Sequence, residues 1–189
     1  MAAGRTREAE EESRRVLALD PVSLIMNVHL GWHFIYARQY DEALTQFRKA
    51  VEADPNYGLA YWYSGLAYEQ KGMYDDALRE MRRARQLLPE NAVIDSDIGH
   101  LYAVAGRRRE AAAVLAELER KRARSYVSSF ERALIHAGLG EKEKSLSEME
   151  QAYKERSDML VYLGVDPRLD PLRSDPRFQQ LLRRIAMPH

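Results

Sequence analysis

The feature that most constrains this chain is a spacing of 34 residues. Gly31, Gly65 and Gly99 stand at that interval, as do Ala43, Ala77 and Ala111. Phe47, Met81 and Leu115 keep the same register, and so do Ala50, Ala84 and Leu118, and Pro21, Pro55 and Pro89. Self-similarity at a fixed period of this size is the signature of a stacked repeat. Each unit is too small to bury its own apolar side, so neighbours must share one continuous core. The clearest unit, Gly58 to Asn91, holds two amphipathic segments of about four helical turns each. Gly72 separates them. These spacings predict an all-α chain of antiparallel helix pairs with no sheet.

Within that unit Gly65-Leu66-Ala67-Tyr68 lies in the first helix, Tyr74-Asp75-Asp76-Ala77-Leu78 opens the second, and Pro89 closes it. With the 34-residue period, these motifs resemble the tetratricopeptide repeat. The resemblance covers roughly Leu24 to Arg156 as four consecutive units, with a partial unit ahead of them. It implies an α-solenoid, a tetratricopeptide superhelix, in which first helices line a concave binding face and second helices form the convex one. It also implies a noncatalytic scaffold for protein–protein interaction, placed by default in the cytoplasm.

Taken in order, residues 1–23 read as a partial N-terminal repeat or capping helix, with Met1 to Thr6 small, polar and frayed. Arg7 to Leu19 followed by Asp20-Pro21 has the ending of a second helix whose first helix is missing. It is either part of a longer array or a natural cap, its acidic run Glu8 to Glu12 suiting a solvated face. Residues 24–57, 58–91 and 92–125 are read as repeats one to three. Residues 126–158 form a degenerate fourth, in which Ala133 replaces the packing glycine, His136 an aromatic, and Ser145 a small apolar residue. Residues 159–189 are expected to cap that repeat. There Asp-Pro recurs at Asp166-Pro167, Asp170-Pro171 and Asp175-Pro176, each able to cap and start a helical turn. The last should open a helix with Phe178, Leu181, Leu182 and Ile185 on one stripe. This tail is similar to endings of repeat arrays appended to bacterial signalling proteins. That likeness gives an alternative role as a regulatory or dimerisation segment of a larger kinase or transcription activator.

Lys and Arg total 29, as do Asp and Glu, so no net charge draws the chain to nucleic acid or a membrane. No apolar run approaches a bilayer span. The absence of cysteine removes disulfides and thiolate metal sites. His29 and His33 are one turn apart, yet no third ligand completes a zinc set; the bland reading is a histidine pair packed among Trp32, Phe34 and Tyr36. His33 shares a column with Ala67, Leu101 and Ile135, so it is expected to be buried with a hydrogen-bond partner. Neither a phosphate-cradling glycine loop nor a nucleophile elbow occurs, and neither catalysis nor a cofactor is expected. Arginines cluster in second helices (Arg79, Arg82, Arg83, Arg85, Arg107 to Arg109, Arg120), as a phosphate-facing surface or as a solvated face partly neutralised by Glu80, Glu110, Glu117 and Glu119.

The resemblance places binding on the first helices, and their inward columns give the candidate residues: Val28, Trp32 and Ile35, then Leu59, Trp62, Leu66 and Glu69, then Ser96 and His100. Chaperone-binding members of the family carry Lys, Asn and Arg there to clamp a terminal carboxylate; these columns lack such residues. The surface reads as apolar and aromatic, with Trp32 and Trp62 as anchors for a docked helix or extended segment of a protein partner. Self-association is the other partner class considered. The competing reading is that these side chains pack against adjoining repeats, or that the tail folds onto them.

Overall fold

The computed structural model describes residues 6–89 and 91–186. Of the frayed end expected at Met1 to Thr6, residues 1–5 lie outside the described residues and Thr6 instead opens the first helix; the last part of the tail, 187–189, also lies outside. Among the described residues there are ten α-helices and two 3-10 helices and no strand. They form two compact units, through Asn91 and from Ala92 onward.

The first unit holds α1 (Thr6–Leu19), α2 (Leu24–Tyr36), α3 (Tyr40–Ala53), α4 (Gly58–Gln70) and α5 (Tyr74–Leu87). Helix α2 pairs with α3 and α4 with α5; α1 packs on α2, α3 on α4, and α2 on α4. The glycine column explains how closely the pairs approach. A β-carbon on Gly31 would overlap the ring of Phe47, standing 2.8 Å from Cδ1, and one on Gly65 would overlap Met81 Cγ. Phe47 and Met81 are fully buried beside Ala43, Ala50, Ala77 and Ala84. Small residues on one helix thus make room for one large side chain of its partner.

The second unit holds α6 (Ala92–Val104), α7 (Arg108–Arg122), α8 (Ser129–Gly138) and α9 (Lys142–Lys154). Two 3-10 helices follow, Asp158–Tyr162 and Pro167–Leu172, then α10 (Pro176–Ala186). Helix α6 pairs with α7 and α8 with α9, and α6 packs on α8. Here a β-carbon on Gly99 would stand 2.6 Å from Ile135 Cδ1 and 2.8 Å from Val114 Cγ1. Helix α7 runs one residue longer than α3 or α5 and ends without Asp-Pro. Helix α8 starts at Ser129, where Ser128 caps it by accepting a hydrogen bond from the Phe130 amide at 3.1 Å.

One turn joins every first helix to its second. The second residue after the helix adopts positive φ, and paired reverse hydrogen bonds close the end, as in Gly72 N to Glu69 O and Met73 N to Tyr68 O, both 2.9 Å. Gly106 and Gly140 repeat it at φ 75° and 74°. Arg38 holds the same position in the first pair with φ 65°, although it is not glycine. Second helices leave differently. Helices α3 and α5 exit through Asp54 and Leu88, with φ of −144° and −125°. Helix α9 instead exits through Arg156 at φ 57°, with the hydrogen-bond pattern of a first helix.

The tail packs on the fourth pair. Leu160, Leu163, Leu169, Leu172, Phe178 and Leu181 share a buried cluster with Phe130, Leu134, Leu146 and Met149, and Leu182 and Ile185 pack against it. The 3-10 helix Pro167–Leu172 lies on α8, and α10 lies on α9. Asp166 and Asp175 cap the segments they precede, accepting from the Arg168 and Arg177 amides at 2.9 and 2.8 Å. Asp170-Pro171 does not start a turn. It lies inside the 3-10 helix, where the proline forgoes one i→i−3 hydrogen bond, and Asp170 pairs instead with Arg173 at 2.6 Å.

Candidate functional site

The first helices of each unit present one face, and register places its columns. In the first unit Phe47, the buried ring that fills the space left by Gly31, stacks on Tyr63 with centroids 6.0 Å apart. Tyr63 stacks in turn on Trp62 at 5.1 Å with planes 12° apart, and meets Trp32 at 5.7 Å. Trp32 also contacts Tyr36 at 5.5 Å and His29 at 6.3 Å. The result is a run of half-buried aromatic rings across α2 and α4, footed on a core residue. Offset rings of this kind hold one another in place, giving a preorganised apolar surface.

Of the candidate residues in this unit, Trp32, Leu59 and Trp62 are half-buried and remain part of the surface. Val28, Ile35 and Leu66 are buried in the packing of the helices, and Glu69 is only 4% exposed and accepts from Gln70 Nε2 at 3.1 Å. His33 is half-buried, not fully so, and its Nδ1 has no hydrogen-bond partner among the described residues. Burial, then the neighbouring His29, lowers its pKa, so the ring stays neutral. No group of three or more metal-ligating side chains occurs among the described residues.

In the second unit the same face is polar and covered. Ser96 is fully buried and donates to the Glu131 carbonyl at 2.7 Å, and His100 is 2% exposed. These two candidates are therefore not open to a ligand. The tail lies over this face: Arg168 donates through Nη1 to Asp97 of α6 at 2.5 Å and through Nη2 to Asp166 at 2.7 Å. Asp97 and Asp166 are 1% and 2% exposed. Burial pushes the Asp166 carboxyl up, but the Arg168 charge and hydrogen bonds outweigh it and hold it below its usual range.

Glu131 completes this cluster. It lies one period beyond Asp97, which itself lies one period beyond Tyr63 and two beyond His29. One carboxylate oxygen accepts from the Ser128 amide, making a capping box with the Ser128 hydroxyl; the other, Oε2, has no hydrogen-bond partner among the described residues. Burial pushes Glu131 up to about 7; the Ser128 amide pulls it back and the Asp97 charge adds to the rise. The inward columns read from sequence omitted this one, although Ser128-x-x-Glu131 was visible as a capping signature. Arg168 carried no signal, being outside the period.

Several arginines of the second helices are paired, Arg79 with Asp76, Arg107 with Glu110 and Arg120 with Glu117 one helical turn apart, and Arg122 with Glu155 across the fold of the second unit. Among the described residues no helix is long and apolar enough to cross a membrane.

Two family profiles, both described as Tetratricopeptide repeat, match residues 29–92 and 68–134. The chain is similar to Anaphase-promoting complex subunit 3 of Schizosaccharomyces pombe, 26% identical over 137 residues, which covers 72% of this chain and 21% of that protein. It is also similar to DnaJ homolog subfamily C member 7 homolog of Dictyostelium discoideum, 26% identical over 167 residues, covering 79% of this chain and 31% of that protein. The chain thus spans less than a third of either relative's length. Among solved structures, the APC/C hetero-tetramer Cut9-Hcn1 superposes with a TM-score of 0.66 at 14% identity, covering 96% of this chain and 36% of that one. YrrB, a TPR protein with an unusual peptide-binding site, superposes at 0.52 with 16% identity, covering 93% of this chain and 91% of that one. At such identities the superpositions establish the fold alone.

Proposed function

Because this chain belongs to the tetratricopeptide repeat family, whose members are generally protein-interaction scaffolds, we propose that it is a noncatalytic module that docks a helix or extended segment of a partner protein on its first helices. The observation that carries this reading is the aromatic run Trp32–Tyr63–Trp62, half-buried and preorganised on α2 and α4. Stacked aromatics at a surface offer large apolar area with little side-chain entropy left to lose, which is why such residues dominate interface energetics. Leu59 is half-buried as the anchors are; Val28, Ile35 and Leu66 are buried in the helix packing, and Ser96 and His100, also buried, take no direct part. That YrrB carries a peptide-binding site lends the reading support by analogy of fold.

Selection of binders from a displayed peptide library tests it. Peptides enriched on the parent chain should lose about 2 kcal/mol or more of binding on Trp32→Ala or Trp62→Ala, with helix content by circular dichroism unchanged. Raising salt should change their affinity little, because apolar burial is not screened. Binding that survives both substitutions and collapses on changing Arg82, Arg83 and Arg108 would move the site to the second helices and overturn this assignment.

A further inference from the structure

The basic end of α7 takes no part in the aromatic surface. Its last turn carries Arg120, Lys121 and Arg122, and Arg124 and Ser125 follow at once. Arg120 and Arg122 thus stand five and three residues ahead of a hydroxyl. Residues 123–128 join α7 to α8, a longer connection than the 54–57 that joins α3 to α4. Ser125 is exposed there, whereas Ser128 and Ser129 are buried and tied into the cap of α8. Helix α7 also closes loosely, with neither the extended exit of α3 and α5 nor a left-handed residue. Its closing bonds converge on one carbonyl: Lys121 O accepts from the Arg124 amide at 2.8 Å, the Ser125 amide at 2.9 Å and the Ser125 hydroxyl at 3.3 Å. A terminal turn held through one acceptor frays readily, and its opening presents Arg120 to Ser125 as an extended strand.

We propose that Ser125 is a phosphorylation site for a serine kinase that reads arginines ahead of its target, and that the phosphate, once in place, takes Arg122 from Glu155. Guanidinium groups at fixed offsets from a hydroxyl give an acidic substrate groove bidentate, charge-assisted contacts that position the hydroxyl for transfer. Arg120 pairs with Glu117 yet keeps 69% of its side chain exposed, and Arg122 keeps 38%. Exposed pairs of this kind are worth little and yield to a kinase's carboxylates. The exposed ring of Tyr126 follows the serine and offers the groove a large side chain on its other side. In the transfer, Ser125 Oγ attacks the γ-phosphorus of a nucleoside triphosphate and the bond to the β-phosphate oxygen breaks. The diphosphate leaves, and the hydroxyl proton goes to the kinase's base.

The modified side chain carries about −1.5 to −2 charges and three strong acceptor oxygens. The α7 dipole opposes an anion at its C-terminus, but that field is screened at an exposed helix end, and Arg122 and Arg124 flank the serine. Arg122 stands 3.1 Å from Glu155. Glu155 also accepts from the Ser129 amide at 3.0 Å and from the Ser129 hydroxyl at 2.8 Å, so it stays hydrogen-bonded when Arg122 turns to the phosphate. The phosphate therefore gains a partner without uncapping α8.

The test incubates the full chain with ATP and the catalytic subunit of cyclic-AMP-dependent protein kinase, beside a free peptide of residues 118–128. Intact mass should show one phosphate on the chain, and fragmentation should put it on Ser125. Ser125→Ala should abolish the incorporation. Arg120→Ala and Arg122→Ala, both surface changes, should each lower kcat/KM about tenfold or more, as loss of a charge-assisted contact does, with helix content by circular dichroism unchanged. A peptide that is phosphorylated while the folded chain is not would show that the end of α7 stays closed, and overturns the proposal. So does a chain left unmodified together with the peptide, and so does incorporation that survives Ser125→Ala or ignores both arginines. The capture of Arg122 has its own measure. The second pKa of the phosphate, followed by phosphorus NMR, should lie below its ordinary value of about 6 in the folded chain and return towards it in urea. Arg122→Ala, phosphorylated to completion, should lack that fall; an equal fall in both chains overturns the capture.

Discussion

Gly65 of α4 and Met81 of α5 are matched by subtraction: a β-carbon on the glycine would occupy the space of Met81 Cγ and lie 3.3 Å from the Ala77 carbonyl oxygen. Met81 cannot swing clear, because it is fully buried, and the Ala77 backbone cannot move without shifting α5. Gly65→Leu should therefore destabilise the first unit by about 1–3 kcal/mol, as overpacking of tight cores does. Chemical denaturation followed by circular dichroism would register it as a lower midpoint, and an unchanged midpoint would contradict the packing described.

Arg38 makes the opposite prediction. It stands at φ 65° where Gly72, Gly106 and Gly140 hold the equivalent turns. Its side chain lies on the exposed surface, where it reaches the Tyr36 carbonyl at 3.4 Å. Glycine relieves the left-handed strain without opening a cavity. Arg38→Gly should stabilise the chain by roughly 0.5–1 kcal/mol, with the converse change, Gly72→Arg, costing a similar amount. Thermal melts of the two variants beside the parent would show shifts of opposite sign.

Glu131 sets a pH dependence whose sign is unusual for a carboxylate. Its folded pKa is about 7, against an ordinary value of 4.5, so between those values the folded chain binds a proton that the unfolded chain has released. Stability then falls as pH rises from about 4.5 to 7 and levels off above, by on the order of 1–3 kcal/mol for one such group. Asp97, Arg132 and Asp158 are the charges around it. Glu131→Gln keeps an acceptor for the Ser128 amide and should flatten that part of the profile. Melting temperatures at half-unit pH steps would separate this from Asp166 and Asp175, whose lowered pKa values make their contributions disappear only in acid, as pH falls below 3.8.

Arg168→Ala should be the most damaging change in the tail. It leaves Asp97 and Asp166, both almost wholly buried, without the guanidinium between them. Losing one side of a buried charge pair costs about 3–5 kcal/mol where no water can enter, and less where the tail can lift away. A loss near the lower figure together with faster amide exchange confined to the tail would show that the segment detaches; a loss spread through α6 and α8 would show that it holds the unit together.

The helix pairs were legible because packing imposes the same demand every period. A close approach at Gly31, Gly65 and Gly99 needs the same small residue each time, so sequence records it. The register column His29, Tyr63, Asp97, Glu131 faces no such repeated demand, and its residue type changes at every step. It therefore carries no periodic signal, although it holds both the hub of the aromatic run and the buried carboxylates. The tryptophans could be placed at the surface of the first helices from their column alone, and both are half-buried there; their role as anchors is the proposal made above. The occlusion of Ser96 and His100 could not be read that way, because it depends on a tail that obeys no period. Arg38 escaped notice for a related reason: a strained conformation leaves no mark when the residue holding it is an ordinary one.

The left-handed exit at Arg156 bears on how such a chain can lengthen. Residues 24–57 follow an exit with the same hydrogen bonds as the one they end in, Ser23 N to Asp20 O before them and Tyr57 N to Asp54 O at their close, so a copy spliced in behind Tyr57 meets a junction of the kind it already has. A copy spliced in behind Arg156 would follow a reversal that, elsewhere among the described residues, leads from a first helix into a second. It would enter its first helix from the wrong kind of corner. A repeat inserted behind Tyr57 would therefore reuse a junction the array already has, whereas one added behind Arg156 would need that residue to leave its left-handed conformation.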